Sequence, residues 1–149
     1  MFKFQIIPFN ELTTLQLYAI LALRCKVFVV EQNGVYQDMD GKDLHADHLL
    51  AFQDDELVGY LRLLPVGISY PNYLSIGRVV SAPHVRGLGL GKQLMTQALS
   101  YFVQHYRDKT IKISAQHYLQ RFYEEFGFTA QGNVYQEDNI PHIAMLLKI

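Results

Sequence analysis

Apolar and polar residues alternate at the start of the chain, where Lys3 and Gln5 separate Phe2, Phe4 and Ile6; this period of two predicts an opening strand that Pro8 ends. From Asn10 or Thr13, either of which can cap a helix, the period changes. Leu12, Leu15, Tyr18, Ala19 and Ala22 then share one face of a helix running to about Phe28. Leu17, Ile20 and Leu21 make other faces apolar too, so this helix is expected to be largely buried, with Arg24 needing a partner inside it. Residues 48–53 and 57–64 read as two strands of an antiparallel hairpin around Asp54-Asp55-Glu56. A loop from Pro65 to Asn72 leads to a further strand marked by Leu74, Ile76, Val79 and Val80. After a proline-containing break at 81–85 and a glycine-rich turn comes a long helix with Leu94, Met95, Ala98, Leu99, Phe102 and Val103 on one stripe. Ile111, Ile113 and Ala115 mark another strand. Residues 116–126 read as a helix with Leu119, Phe122, Tyr123 and Phe126 on one side, and Gly127 is placed to cap its C-terminus. Strands at 129–135 and 143–147 flank a turn at Asp138-Asn139. The sum is an α/β chain with a six- to seven-stranded mixed sheet and helices on both faces, expected to form one domain over residues 1–149.

Composition narrows the function classes. A chain of 149 residues, 50% of them hydrophobic, can bury a sizeable core. Its net charge of −1, with no basic stripe, argues against nucleic acid as the main partner. No apolar run approaches the length of a membrane span, and residues 1–9 lack the regions of a signal peptide, so a cytoplasmic protein is expected. The single cysteine, Cys25, suits a reducing compartment. On a helix expected to be buried, with no paired histidine in view, it makes a poor nucleophile.

Charge is uneven along the chain. Between Glu31 and Glu56 there are eight acids and one base, Lys42. Two readings stand for this long stretch: a solvated loop, or an anionic rim that attracts a cationic amine. Asp38-x-Asp40-Gly41 lacks the spacing and closing glutamate of an EF-hand, and His45 and His48 have no third ligand at fixed spacing, so no metal is expected.

The strand, glycine turn and helix between Leu74 and Val103 make an anion site, because the first turn of a helix has unpaired N–H groups and partial positive charge. A Walker loop would need glycine at Arg86 and Ser or Thr at Gln93. A Rossmann fingerprint would need glycine at Lys92 or Leu94. What fits is Arg-x-x-Gly-x-Gly, filled by Arg86, Gly89 and Gly91. With its flanking elements, this resembles the acyl-coenzyme A site of the GNAT acetyltransferase superfamily. Arg24, Val27, Phe28, Glu31, Gln32, Tyr36, Asp38, Asp40, Gly41 and Asp43 are similar to its ElaA-type branch, and the Tyr123 to Phe128 run is family-like.

The resemblance implies a centrally splayed sheet and acetyl-CoA as co-substrate. It implies that Val79 and Val80 line the pantetheine path, and that Arg86, Gly87, Leu88, Gly89, Leu90, Gly91 and Lys92 hold the pyrophosphate. Gln116 and Tyr123 complete the cofactor-binding set. Tyr123 is the candidate general acid, since a phenol with an ordinary pKa near ~10 is protonated at neutral pH. A base is needed because a primary amine arrives charged. Glu31, Asp43, His45 and His142 are its candidates, and Glu31, Asp40, Asp43 and His142 form the expected acceptor-binding set. The implied activity is an N-acetyltransferase acting by direct attack on a small-molecule or protein amine, as a monomer or homodimer. The alternatives are a non-catalytic acyl-CoA sensor and, by a looser resemblance over the acidic stretch, an enzyme like the acyl-homoserine lactone synthases. Those are longer and carry characteristic tryptophans, and this chain has none.

Overall fold

The computed structural model describes residues 1–149. Its strands are β1 (Lys3–Pro8), β2 (Asp47–Gln53), β3 (Glu56–Leu64), β4 (Ser75–Ser81), β5 (Thr110–Gln116), β6 (Thr129–Glu137) and β7 (Ile140–Lys148). They form two antiparallel sheets, ordered β1-β2-β3-β4 and β5-β7-β6. The hairpin turns are those the sequence marks. Asp54 and Asp55 adopt φ of 50° and 66°, Asp138 and Asn139 φ of 52° and 62°, the left-handed pair that a two-residue hairpin turn requires.

The two sheets meet at one point. Leu74 bridges Ile111 in parallel, its N–H donating to the Thr110 carbonyl at 3.0 Å while the Lys112 N–H donates to the Leu74 carbonyl at 2.8 Å. Beyond that bridge β4 and β5 do not pair. The seven-stranded surface is therefore mixed and splayed at its centre, with a cleft where the missing ladder would be.

Helices cover both faces. Helix α1 (Thr14–Arg24) begins with a capping box, in which the Thr13 side chain accepts from the Gln16 N–H and the Gln16 side chain accepts from the Thr13 N–H. It packs on the face of β3 that carries Tyr60, whose ring lies 5.8 Å from the Arg24 guanidinium carbon. Helix α2 (Leu90–His105) packs on the opposite face, where Gly59 makes room for it: a Cβ there would come within 2.7 Å of the Leu90 side chain. Leu90, Leu94, Met95, Ala98 and Phe102 enter the core, whereas Val103 stays 60% exposed.

Three expectations need correction. The first helix does not run on as an α-helix to Phe28; after Arg24 it loosens into a π-helix over Cys25–Glu31. It is also not largely buried, and the expected face points outward, with Leu15 82% and Tyr18 77% exposed. Ile20, Leu23, Arg24 and Val27 point inward instead. Arg24 sets this roll, because its guanidinium must reach acids on the far loop, and the stripe through Leu15, Tyr18 and Ala22 lies on the opposite side of the helix. Cys25 is consequently exposed. The third correction is one of length: helix α3 covers only Gln120–Glu124, after a 3₁₀ turn at His117–Leu119. Gly127, at φ 100°, closes it as expected, with the Phe128 N–H returning to the Tyr123 carbonyl.

Candidate active site

The cleft between β4 and β5 has a volume of about 700 Å³ and is lined by both strands, the π-helix, the loop after it, α3 and the β6–β7 hairpin. Its β4 wall is bulged. The β3–β4 ladder pairs Tyr60 with Val80 and Arg62 with Gly77, so Arg78 and Val79 together oppose Leu61. Arg78 has φ of 53°, which costs a residue with a Cβ about 1–2 kcal/mol. The bulge sends the Arg78 side chain to Asp38, with Nε donating at 2.7 Å, and leaves Val79 outside the ladder at the cleft wall.

Below that wall lies an ion network of three arginines and three aspartates. Arg24, fully buried, donates from Nε to Asp38 at 2.8 Å and from Nη1 to Asp43 at 2.7 Å. Arg62 donates to Asp43 at 3.0 Å and reaches both oxygens of Asp40, at 2.8 and 2.7 Å. Gly77 leaves room for it, since a Cβ there would lie 3.3 Å from the Arg62 Nε. His48, also fully buried, spans the Tyr60 hydroxyl at 2.6 Å and the Asp43 carbonyl at 3.0 Å. Its Nε2–H donates to that carbonyl and its Nδ1 accepts from the phenol, and burial pushes its pKa down. Burial works to raise the carboxyls of Asp40 and Asp43, but hydrogen bonds from Arg62 and Arg24 respectively hold both below the usual carboxylate range. Neither of the two readings of the acidic stretch, a solvated loop or an open anionic rim, therefore describes Asp38, Asp40 and Asp43. Three of the eight acids are neutralised by arginines 14 to 40 residues away, and Asp43 is 7% exposed.

At the other end of the cleft the glycine turn leads into α2. Gly87 and Gly89 have φ of 84° and 80°, and a Cβ on either would meet nothing within 4 Å. The turn is thus open to an approaching group, with the free amides of a 16-residue helix behind it. Gly91 sits in the first turn, where a Cβ would lie 3.6 Å from the Phe122 ring. Arg86 forks onto Glu31 at 2.9 and 2.7 Å across the cleft mouth, and that hydrogen bonding lowers the Glu31 pKa. A splayed strand edge ending on an open, positively polarised turn suits an elongated ligand with a phosphate at one end.

The family model for an acetyltransferase (GNAT) domain matches residues 16–149. Protein ElaA of Escherichia coli (strain K12) is 45% identical over 100% of this chain and 98% of its own length. The chain belongs to the GNAT acetyltransferase family. The crystal structure of Escherichia coli ElaA superposes with a TM-score of 0.92 at 44% identity, covering 98% of this chain and 99% of that one. An acyl-CoA N-acyltransferase from Pseudomonas aeruginosa gives the same figures: 0.92, 44%, 98% and 99%. A CoA-dependent acyl-homoserine lactone synthase, BjaI, shares the fold at a TM-score of 0.83 and 19% identity, over 100% of this chain and 84% of that one.

In this GNAT domain the residues singled out from sequence divide into three groups. Val79, Val80, Arg86, Gly91, Gln116 and Tyr123 line the cleft together. Gly87, Leu88, Gly89 and Lys92 lie on the turn and the first turn of α2 just outside it, where Lys92 sits 3.5 Å from Glu125; the Leu90 side chain points into the core. Of the acceptor-binding set, Glu31, Asp40 and His142 reach the cleft, and Asp43 lies behind Arg62. Tyr123 is 7% exposed, wedged edge-on against Phe122 and Phe128, and burial pushes its phenol up to about 12. Arg62, Arg78, Ser114 and Glu137 also line the cleft and went unmarked in the sequence. Only the period-two offset of Ser114 and Gln116 from the core positions Ile113 and Ala115 could have suggested a cleft-facing row. No group of three or more His, Cys, Asp or Glu side chains is arranged to hold a metal ion.

Proposed function

We propose that this protein is an N-acetyltransferase that moves the acetyl group of acetyl-CoA to an amine by direct attack, as a single domain over residues 1–149 acting in the cytoplasm. The observation that carries this reading is the unpaired edge of β4, bulged at Arg78 and Val79, running into an open glycine turn at the N-terminus of α2, with Tyr123 facing it. Arg86, the amides from Gly87 to Lys92 and Gln116 are suited to hold the co-substrate. The Val79–Val80 edge offers main-chain donors and acceptors to an extended arm. A Val79 N–H aimed at the thioester oxygen would stabilise developing charge by about 3 kcal/mol. Tyr123 keeps its proton throughout the neutral range and stands as the donor to departing sulfur. Glu31, Asp40 and His142 face the acceptor's side of the cleft, and Asp43 holds Arg62 in place for them. The Pseudomonas aeruginosa protein described as an acyl-CoA N-acyltransferase supports the reading through its 44% identity over nearly the whole chain.

Two measurements test it together. Acetyl-CoA should raise the melting temperature in proportion to the logarithm of its concentration, and a library of amines should yield acceptors that release free thiol. A melting shift without thiol release from any amine would leave an acyl-CoA sensor. No melting shift would overturn both.

A further inference from the structure

One cluster on the cleft wall contains none of the residues assigned above to the co-substrate. β5, β6 and β7 present Ser114, Tyr135, Glu137 and His142 on the same face, because Tyr135 pairs with His142 and His142 with Gln116 in the two ladders. His142 is 7% exposed, and its ring stacks on Tyr135 at an interplanar angle of 25°. Its Nδ1 lies 2.7 Å from the Ile140 carbonyl, which can only accept, so Nδ1 carries the proton. In the neutral ring Nε2 is then a bare acceptor. It lies 3.5 Å from Oε2 of Glu137, beyond an ordinary hydrogen bond. The other oxygen of Glu137 is held by the Ser114 hydroxyl at 3.2 Å, and Ser114 is itself bonded to the Tyr135 hydroxyl.

Two acceptors thus face each other across a gap of 3.5 Å, too narrow for a nitrogen between them but open on the cleft side to one donor group that bridges both, and one of them is on a nine-tenths buried side chain. The group that satisfies both is a donor with several N–H bonds and a positive charge. Tyr70 flanks the gap closely enough for its phenol to feel Tyr135 and Glu137, and Asp138 lines the same rim. The nearby cation Lys112 is occupied over the rings of Tyr70 and Tyr73, at 4.8 and 5.5 Å.

We propose that a primary alkylammonium group bridges His142 Nε2 and the Glu137 carboxylate from the cleft side, and that His142 removes its proton. This rests on the transferase reading above for its chemistry, though not for its binding. The ammonium gives one proton to Nε2, leaving an imidazolium beside Glu137, and that proton passes on to water. The freed nitrogen lone pair forms the C–N bond to the thioester carbonyl. The C–S bond breaks with its electron pair going to sulfur, which accepts the Tyr123 proton, and the second proton lost by nitrogen restores the phenol. The products are an amide, a thiol and one proton in solution. The acceptor class is accordingly a flexible aliphatic primary amine that arrives as a cation.

The test compares the best alkylamine from the amine library with methoxyamine, a much weaker base that arrives neutral at pH 7 and needs no deprotonation. His142→Gln should lower kcat for the alkylamine by ~10²-fold or more and for methoxyamine by less than ~3-fold. Glu137→Gln, at a half-exposed position that tolerates the change, should raise KM for the alkylamine while the acetyl-CoA melting shift stays as in the wild type. Equal losses on both acceptors, or no loss on either, would overturn His142 as the base. Binding is read separately, from the ¹⁵N shift of His142 Nε2 during titration with n-butylammonium. It should move in the wild type and stay still in Glu137→Gln, and a silent wild type overturns the ammonium seat. If the Nε2 signal responds but no amine releases thiol, the transferase reading fails and the seat stands. If thiol is released with a silent Nε2, the reverse holds.

Discussion

Arg24 and Tyr123 show how much single side chains carry here. Arg24 is fully buried and bonded to two aspartates from a loop that begins after the π-helix. Burial alone would lower its pKa, and the hydrogen bond and charge of Asp43 more than reverse that. Removing Arg24 leaves three carboxylates, those of Asp38 and Asp43 buried, to share the two charges of Arg62 and Arg78. Arg24→Met should therefore cost about 3–5 kcal/mol in urea unfolding; a loss under ~1 kcal/mol would mean that the methionine packs as well as the ion pair binds. Tyr123 makes the opposite kind of prediction. Its ring is packed by Phe122 and Phe128, so Tyr123→Phe should keep the fold and the acetyl-CoA melting shift. It should lower kcat by ~10²-fold or more, and an unchanged kcat would make Tyr123 a core residue.

Among the elements, the turn from Arg86 into α2 has the simplest physical logic. Gly89 is its N-cap at φ 80°, with empty space where a Cβ would project. Gly89→Val should cost about 1–2 kcal/mol from the left-handed backbone alone, and it puts branched carbons on the path to the amides. The acetyl-CoA melting shift should disappear in this variant, and a shift of wild-type size would mean that the phosphates bind elsewhere. The π-helix after α1 has no comparable signal in the chain. Nothing in the spacing of Val27, Phe28, Val29 and Val30 distinguishes a π turn from an α turn, and the register there answers to Arg24 and to the loop folded beneath it. The β4 bulge is similar: Gly77-Arg78-Val79-Val80 reads as plain strand, and the bulge coincides with the contact of Arg78 with Asp38, 40 residues earlier.

Across the whole molecule, the ion network couples α1, the acidic loop, β3 and β4, so acid should loosen them together. His48 has a pKa held below its ordinary 6.5, so the unfolded chain takes up a proton that the folded chain refuses, and stability falls as pH drops below about 6.5. Asp40 and Asp43 sit below their ordinary 3.8. Their contribution is fully present above that value and is lost as pH falls beneath it. Melting temperature against pH should thus be flat near 7, decline from about 6.5 and drop further below about 4, and His48→Gln should remove the first decline. Local pattern determined much of this protein by itself. The order of strands and helices, the two hairpin turns and the glycine turn opening α2 all follow from periodicity and from residues that favour one backbone region. Those signals act between near neighbours, and so can be read along the chain. The tertiary structure alone decided which face of α1 turns inward, that the aspartates are bound rather than free, and that Ser114 of β5 meets Glu137 of β6. Each of these depends on side chains 14 to 40 residues apart that the packing of helix, loop and strands brings together, and no spacing along the sequence encodes that meeting.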